Sequence, residues 1–242
     1  MTRPRKTLKT APAGMRLDAQ THRIPAGGGH GVDVASQRAD DLDERCLAFL
    51  DARFARDLTT RPSALDVACG QGGQAIRLAA AGCRVTAVDI QDHAADIRRA
   101  ASYHRVRQPP IFLQADLRAL PAVLPEAPFD ALICQRALHY IRYAEAVAAV
   151  ASWRRHLAPG ARVFVSASGL SSELGRGYPH AERPVAERFA CLAPDMAERH
   201  DIRPAVCLYE ASDMVELLHA AGLGVAEVFV SPFGNVKAVA LV

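Results

Sequence analysis

The chain has 242 residues, half of them apolar and 23% charged, with a formal net charge of +3. That length and balance suit one soluble α/β domain, and the charge is too small to argue by itself for a nucleic-acid partner. No apolar run is long enough to span a membrane and no signal-peptide core is present, so the expected location is cytoplasmic.

Taken in order, Met1–Gly29 reads as a basic tail. Arg3, Arg5, Lys6, Lys9, Arg16 and Arg23 face the lone acid Asp18, and prolines and Gly27-Gly28-Gly29 break any periodicity. The expectation is a disordered leader with a glycine hinge, followed by one domain over 30–242. A helix is expected from near Val34, with Leu42, Cys46, Leu47, Phe49, Leu50, Phe54 and Leu58 at helical spacing.

The stretch LDVACGQGGQAIRLAAAGCRVTAVDI carries the strongest signal. An apolar strand over Ala64–Cys69 holds one acid, Asp66. The small-residue turn Gly70-Gln71-Gly72-Gly73 follows, then a helix that stops at Gly82. A second strand over Arg84–Val88 ends at Asp89, 23 residues after Asp66. Strand, glycine turn, helix, strand and acid make one βαβ unit suited to a nucleoside, with the second acid placed to accept from two ribose hydroxyls. The dinucleotide pattern G-x-G-x-x-G fails, because position 75 is Ala75. Asp66 repels a pyrophosphate and attracts an ammonium or sulfonium group.

Further on, a helix is expected over Asp92–Tyr103, a third strand over Ile111–Gln114 ending in Ala115-Asp116-Leu117, and a fourth over Phe129–Cys134 running into Gln135-Arg136-Ala137-Leu138-His139-Tyr140. A helix over Ala144–His156 and a fifth strand over Arg162–Ser168 come next. The irregular 169–204 stretch includes a short helix from Pro184. The last helix, Ser212–Ala221, has a serine N-cap and stops at Gly222. Gly224–Val230 and Val236–Val242 are joined by five residues, so they form an antiparallel hairpin. A parallel dinucleotide fold would not end this way. The six cysteines form no C-x-x-C pair and read as reduced and buried, and no metal-ligand spacing is present.

Asp66-Val67-Ala68-Cys69-Gly70-Gln71-Gly72 resembles motif I, D-x-G-x-G-x-G, of the class I S-adenosylmethionine (SAM) methyltransferases, with Ala68 in place of the first glycine. The resemblance runs from about Val34 to Val242 and is specific in 66–89 and 116–140. It implies a three-layer Rossmann-like α/β methyltransferase fold. Its seven-stranded, mostly parallel sheet has the order 3-2-1-4-5-7-6 and a terminal antiparallel hairpin. It implies SAM as methyl donor and S-adenosylhomocysteine (SAH) as product, held by Asp66, Ala68, Cys69, Gly70, Gln71, Gly72, Asp89, Ile90, Asp116, Leu117 and Gln135. Asp116 would meet the adenine amino group and the Leu117 N–H a ring nitrogen. His30, Asp33, Gln37 and Arg38 are lid candidates, Arg38 for the methionine carboxylate, and 169–204 is a candidate substrate lid.

His139 and Tyr140, just after the fourth strand, are the candidate catalytic residues, His139 as base. Tyr178, His180 and Tyr209 are weaker candidates for substrate contact. The box of amino-methylating DNA enzymes is absent at 135–138. Ile133-Cys134-Gln135 lacks the proline of the cytosine C5 enzymes, so Cys134 reads as a buried strand residue rather than a nucleophile. No carboxylate cluster stands there for a metal-dependent mechanism. The expectation is a small-molecule acceptor. An RNA or protein acceptor, aminopropyl transfer and a non-catalytic SAM- or SAH-binding module remain as alternatives, and a nicotinamide dehydrogenase is disfavoured by Asp66, Ala75 and the hairpin.

Overall fold

The glycine turn sits at the centre of a seven-stranded sheet. The computed structural model describes residues 25–57 and 59–242, so the expected disorder of residues 1–24 lies outside the described residues. The strands are β1 (Ser63–Val67), β2 (Arg84–Asp89), β3 (Ile111–Gln114), β4 (Phe129–Gln135), β5 (Leu157–Ser168), β6 (Gly224–Val230) and β7 (Asn235–Leu241). Their order is β3-β2-β1-β4-β5-β7-β6. Neighbours from β3 to β5 pair in parallel, while β7 runs antiparallel to both β5 and β6. The order and the terminal hairpin agree with the expectation.

The central strands are apolar on both faces because helices cover both. One layer is α2 (Asp41–Arg56), α3 (Gly73–Ala81) and α4 (Ala94–Tyr103), which bury Leu42, Leu50, Ile76, Leu78 and Ile97 against the sheet. The other is α5 (Tyr143–Trp153) and α7 (Ala211–Ala220), with Val150, Trp153, Met214 and Leu217. The Trp153 indole N–H donates to the Leu117 carbonyl at 2.8 Å, tying the loop after β3 to α5.

Several boundaries differ from the sequence reading. The helix expected from Val34 is two helices, α1 (Val34–Gln37) and α2. Arg38 is extended, and Asp40 starts α2 with a capping box, its carboxylate accepting from Leu42 and Asp43 N–H while Asp43 accepts from Asp40 N–H. β1 stops at Val67, because Ala68 turns into the left-handed region at φ +56°. Glu210, not Ser212, caps α7. The short helix of the irregular stretch is α6 (Pro194–His200), and Pro184 precedes only one 3-10 turn.

Residues 25–29 are placed differently too. Pro25 bridges Val32, Gly31 N–H donates to Asp201 O and Arg203 N–H donates to Gly29 O. Gly27, Gly28 and Gly29 have φ of +85°, +58° and +76°, which is what lets the chain fold back there. The 174–208 segment has its own small core of Leu174, Tyr178, Leu192, Met196, Ile202, Val206 and Leu208. The N-terminal arm therefore docks on this segment, and the two close over the same edge of the sheet. Among the described residues no helix is long and apolar enough to cross a membrane.

Candidate cofactor and acceptor site

At the carboxyl ends of the strands lies a cavity of about 840 Å³. This is where α/β sheets of this type hold ligands, and the volume suits a ligand of cofactor size or larger. One wall comes from β1, β2 and β3 and the turns that follow them: Ala68, Gly70, Asp89, Ile90, Asp116 and Leu117. Gln135, His139 and Tyr140 line it after β4, and His30, Asp33 and Arg38 line it from the N-terminal arm. Most of the residues expected from sequence are thus brought together. Cys69, Gln71 and Gly72 shape the turn without lining the cavity, and Gln37, Tyr178, His180 and Tyr209 do not line it either.

The turn is held from outside by α1. Asp33 accepts from Gln71 N–H at 2.8 Å and from Ser36 N–H at 2.9 Å, and Gly73 N–H donates to the Ser36 hydroxyl at 3.1 Å. Glycine is needed for this fit. A Cβ on Gly70 would stand 2.3 Å from the Asp33 carboxylate, one on Gly72 2.4 Å from Ile97, and one on Gly73 2.3 Å from the Ser36 backbone. Gly72 also starts α3 at φ +83°. Ala68 takes a left-handed conformation that is unusual for a residue with a Cβ.

Asp66 lies beneath the turn, 3% exposed, and its Oδ2 has no hydrogen-bond partner among the described residues. Burial drives its pKa well above the ordinary carboxylate value, with the Arg77 charge and the Ala75 backbone N–H pulling the other way. A buried acceptor with spare capacity under the turn fits a cationic ligand group above it. Beside it, Arg77 pairs with Asp43 at 3.1 Å and Gln74 at 2.8 Å, and Gln135 donates to the second Asp43 oxygen at 3.0 Å. This network fixes the Gln135 amide at the cavity wall.

Asp89 stands at the β2 end of the cavity. Its Oδ2 accepts from Gly70 N–H at 2.8 Å and its Oδ1 from Gln91 N–H at 2.9 Å, leaving each oxygen a lone pair. Ile90, 53% exposed, gives an apolar surface next to it. Asp116 is engaged more fully than expected: Arg118 donates to both of its oxygens and to Glu145 as well, and this pairing lowers the Asp116 pKa. An adenine amino group there has to share Asp116 with Arg118.

His139 is a poor proton acceptor. It is buried on a 3-10 turn, and Ser168 N–H donates to its Nδ1 at 3.3 Å, which puts the ring proton on Nε2. Burial depresses its pKa to about 3, helped by the nearby Arg136 charge. Tyr140 donates its hydroxyl proton to the His30 carbonyl at 2.5 Å, and burial raises its pKa. Tyr140 is thus tied to the arm and His139 to the end of β5. A linkage follows. At pH above about 6.5 the folded and unfolded imidazoles are both neutral. As pH falls toward 3, the unfolded chain takes up a proton that the folded one refuses. Stability should fall across that window by up to about 1.4 kcal/mol per pH unit from this group. The His139 ring signal followed by NMR should stay neutral to below pH 5, and a midpoint near 6.5 would contradict the assignment.

Two of the weaker candidates, Tyr178 and Tyr209, are engaged in the protein interior. The Tyr178 hydroxyl donates to Val206 O at 2.6 Å and accepts from Ala190 N–H at 3.2 Å. Tyr209 is buried in the main core, and Cys134 is fully buried with its thiol pKa raised by desolvation. Among the described residues no group of three His, Cys, Asp or Glu side chains is placed to hold a metal.

Sequence reasoning missed Arg136, Phe233, Asn235, Ser168 and the Glu173–His200 pair, all of which line the cavity. Only Arg136, a cation closing an apolar strand, carried a readable signal.

Comparisons with known proteins agree with this geometry. Residues 64–160 match the family described as a methyltransferase domain, about two-fifths of the chain. An uncharacterized methyltransferase of Mycobacterium tuberculosis is 44% identical over 77 residues, covering 32% of this chain and 36% of that protein. The chain thus spans about a third of the length of the curated relatives it matches. Among solved structures, a SAM-dependent methyltransferase from Methanosarcina mazei superposes with a TM-score of 0.56 at 20% identity, covering 74% of this chain and 91% of that one. The Burkholderia thailandensis 1,6-didemethyltoxoflavin-N1-methyltransferase, solved with 1,6-didemethyltoxoflavin and SAH, superposes with a TM-score of 0.57 at 20% identity, covering 84% and 78%. These findings agree with the resemblance drawn from residues 66–89 and 116–140: residues 64–160 match a methyltransferase domain, and the fold is one that SAM-dependent methyltransferases share.

Proposed function

We propose that this class I fold works as an enzyme that moves a methyl group from SAM to a small-molecule acceptor and releases SAH. One observation carries the reading: a single cavity is continuous from the Asp89 and Asp116 end to a second half beyond β4, with room for both partners. The cofactor supplies an electrophilic methyl on sulfur. The C–S bond breaks with its electron pair kept by sulfur, and the acceptor's lone pair makes the new bond.

The protein's part is alignment and exclusion of water. Asp89 holds the ribose and the glycine turn admits the chain of the cofactor close to backbone. Asp66 favours the cationic amino acid end from below, and Leu117 and Ile90 flank the base. Ala68, Cys69, Gln71 and Gly72 keep the turn's shape, and Gln135 fixes the wall between the two halves. The arm at 25–38 and the 169–204 segment act together as the lid. Where the acceptor must lose a proton, His200 is the better placed imidazole: it lines the cavity with its Nε2 3.3 Å from Glu173, another lining residue. A cavity of about 840 Å³, roofed in part by the arm and the 169–204 segment, favours a small acceptor, as in the Burkholderia enzyme, over RNA or a protein side chain.

The test uses SAM labelled in the methyl group and a cell extract separated by ultrafiltration into small-molecule and macromolecular fractions. Label is expected in the small-molecule fraction. Transfer only to macromolecules would contradict the acceptor class, and binding of SAM without transfer to either fraction would favour a non-catalytic module.

A further inference from the structure

The half of the cavity beyond β4 carries an unpaired positive charge. Arg136 sits at the end of β4 with φ +51°, held there by its N–H donating to the Ser166 carbonyl and hydroxyl on β5. No described carboxylate is within ion-pair distance of its guanidinium. Asp33 and Asp40 act on it only through space, and both are committed elsewhere, Asp33 to Gln71 and Ser36 N–H and Asp40 to Lys237 at 2.6 Å. Burial lowers the Arg136 pKa, yet a guanidinium stays charged at neutral pH.

Arg38 faces the same space. Its guanidinium lies 5.2 Å from the centre of the Phe233 ring and has no carboxylate partner among the described residues. The two arginines share a side recess of about 250 Å³ that also includes Phe233 and Asn235. Asp40 and Asp41 line it as well and share Lys237 between them, so its lining sets three cations, Arg38, Arg136 and Lys237, against two carboxylates. Phe233, 66% exposed, stands at its rim with the Arg38 guanidinium over its ring. A half-buried cation such as Arg136 with no ion-pair partner among the described residues is costly to keep without a ligand anion.

We propose that Arg136 and Arg38 bind an anionic group, a carboxylate or phosphate ester, on a flat acceptor that stacks on Phe233. This rests on the methyltransferase reading for the word acceptor and deepens it to a substrate class. It also moves Arg38 away from the methionine carboxylate. Strand order explains why. Asp89 and Asp116 put the nucleoside over β3-β2-β1, whereas Arg136 leans on β5 and Phe233 belongs to the β6–β7 turn.

The test is calorimetric titration of the full chain, preloaded with SAH, with three probes: benzoate, phenyl phosphate and neutral benzamide. At least one anion should bind and benzamide should not, and which anion binds distinguishes the carboxylate from the phosphate. Arg136→Met and Arg38→Met should each weaken the anion about ten-fold or more, with SAH affinity unchanged. Arg136→Gly relieves the left-handed backbone, so it should fold at least as well and lose the anion equally. Equal binding of benzamide, no anion binding, or SAH affinity falling in Arg136→Met would overturn the proposal. Failure of the unmodified chain to bind SAH would instead strike the methyltransferase reading. The same titrations without SAH would then still decide whether the arginines bind anions.

Discussion

Replacing Asp89 by alanine should raise the dissociation constant for SAH by at least about 100-fold. The carboxylate accepts from Gly70 and Gln91 N–H and keeps a lone pair on each oxygen facing the cavity. Two ribose hydroxyls donating there make two charge-assisted hydrogen bonds of about 1.5–3 kcal/mol each. At about 1.4 kcal/mol per decade their loss amounts to two decades or more. The alanine also frees Gly70 N–H, which slackens the turn. Asp89→Asn keeps one acceptor oxygen and presents an amino group in place of the other, so its loss should fall between the two. Calorimetric titration with SAH checks both variants, with thermal unfolding as the control for folding. Unchanged affinity in the alanine variant would remove Asp89 from the site.

Arg77→Leu should be the most destabilising single change near the site. It strips from Asp43 its ion-pair partner among the described residues; the Asp43 carboxyl is already pushed upward by burial and pulled back chiefly by the Arg77 charge. The pair is 3.1 Å apart, and both side chains are under 10% exposed. Breaking a buried pair from one side costs about 3–5 kcal/mol, because the other charge is left behind. For a chain of this size that is roughly a 6–20 °C fall in Tm. The double variant Arg77→Leu with Asp43→Leu should recover a good part of the loss, since neither charge then stays alone. Differential scanning calorimetry on the three variants decides it. A loss in Arg77→Leu below about 1 kcal/mol, the ordinary scale of surface changes, would mean that the network is not a buried ion pair in solution.

The legible parts of this fold are those where local chemistry and global position agree. Gly70, Gly72 and Asp89 were readable because a glycine turn between strands and an acid 23 residues after Asp66 each have few other uses. The terminal hairpin was readable from its five-residue connection. The break between α1 and α2 was hidden by composition. Asp40 is one acid among several in a charged stretch, and only its pairing with Asp43 turns it into a cap. The 169–204 segment has no period to read, because contacts such as Tyr178 to Val206 and Arg203 to Gly29 order it rather than a repeating face. That is also why residues 25–29 were read as a loose hinge. Their glycines serve the close fold-back against 201–203. Within the site, His139 stood at the right sequence position for a base. Its use as an acceptor from Ser168 N–H comes from the β5 backbone, which no spacing in the sequence reveals.

The most direct test of the account is a thermal-shift comparison of the purified chain with SAM, SAH, NAD and buffer. A ligand at about 100 times its dissociation constant adds about 2.7 kcal/mol to stability, or roughly 5–11 °C at this chain length. The account predicts that rise with SAM and SAH and none with NAD. A rise with NAD alone, or no rise with any of the three, would contradict the assignment of the glycine turn, Asp66 and Asp89 to a sulfonium nucleoside.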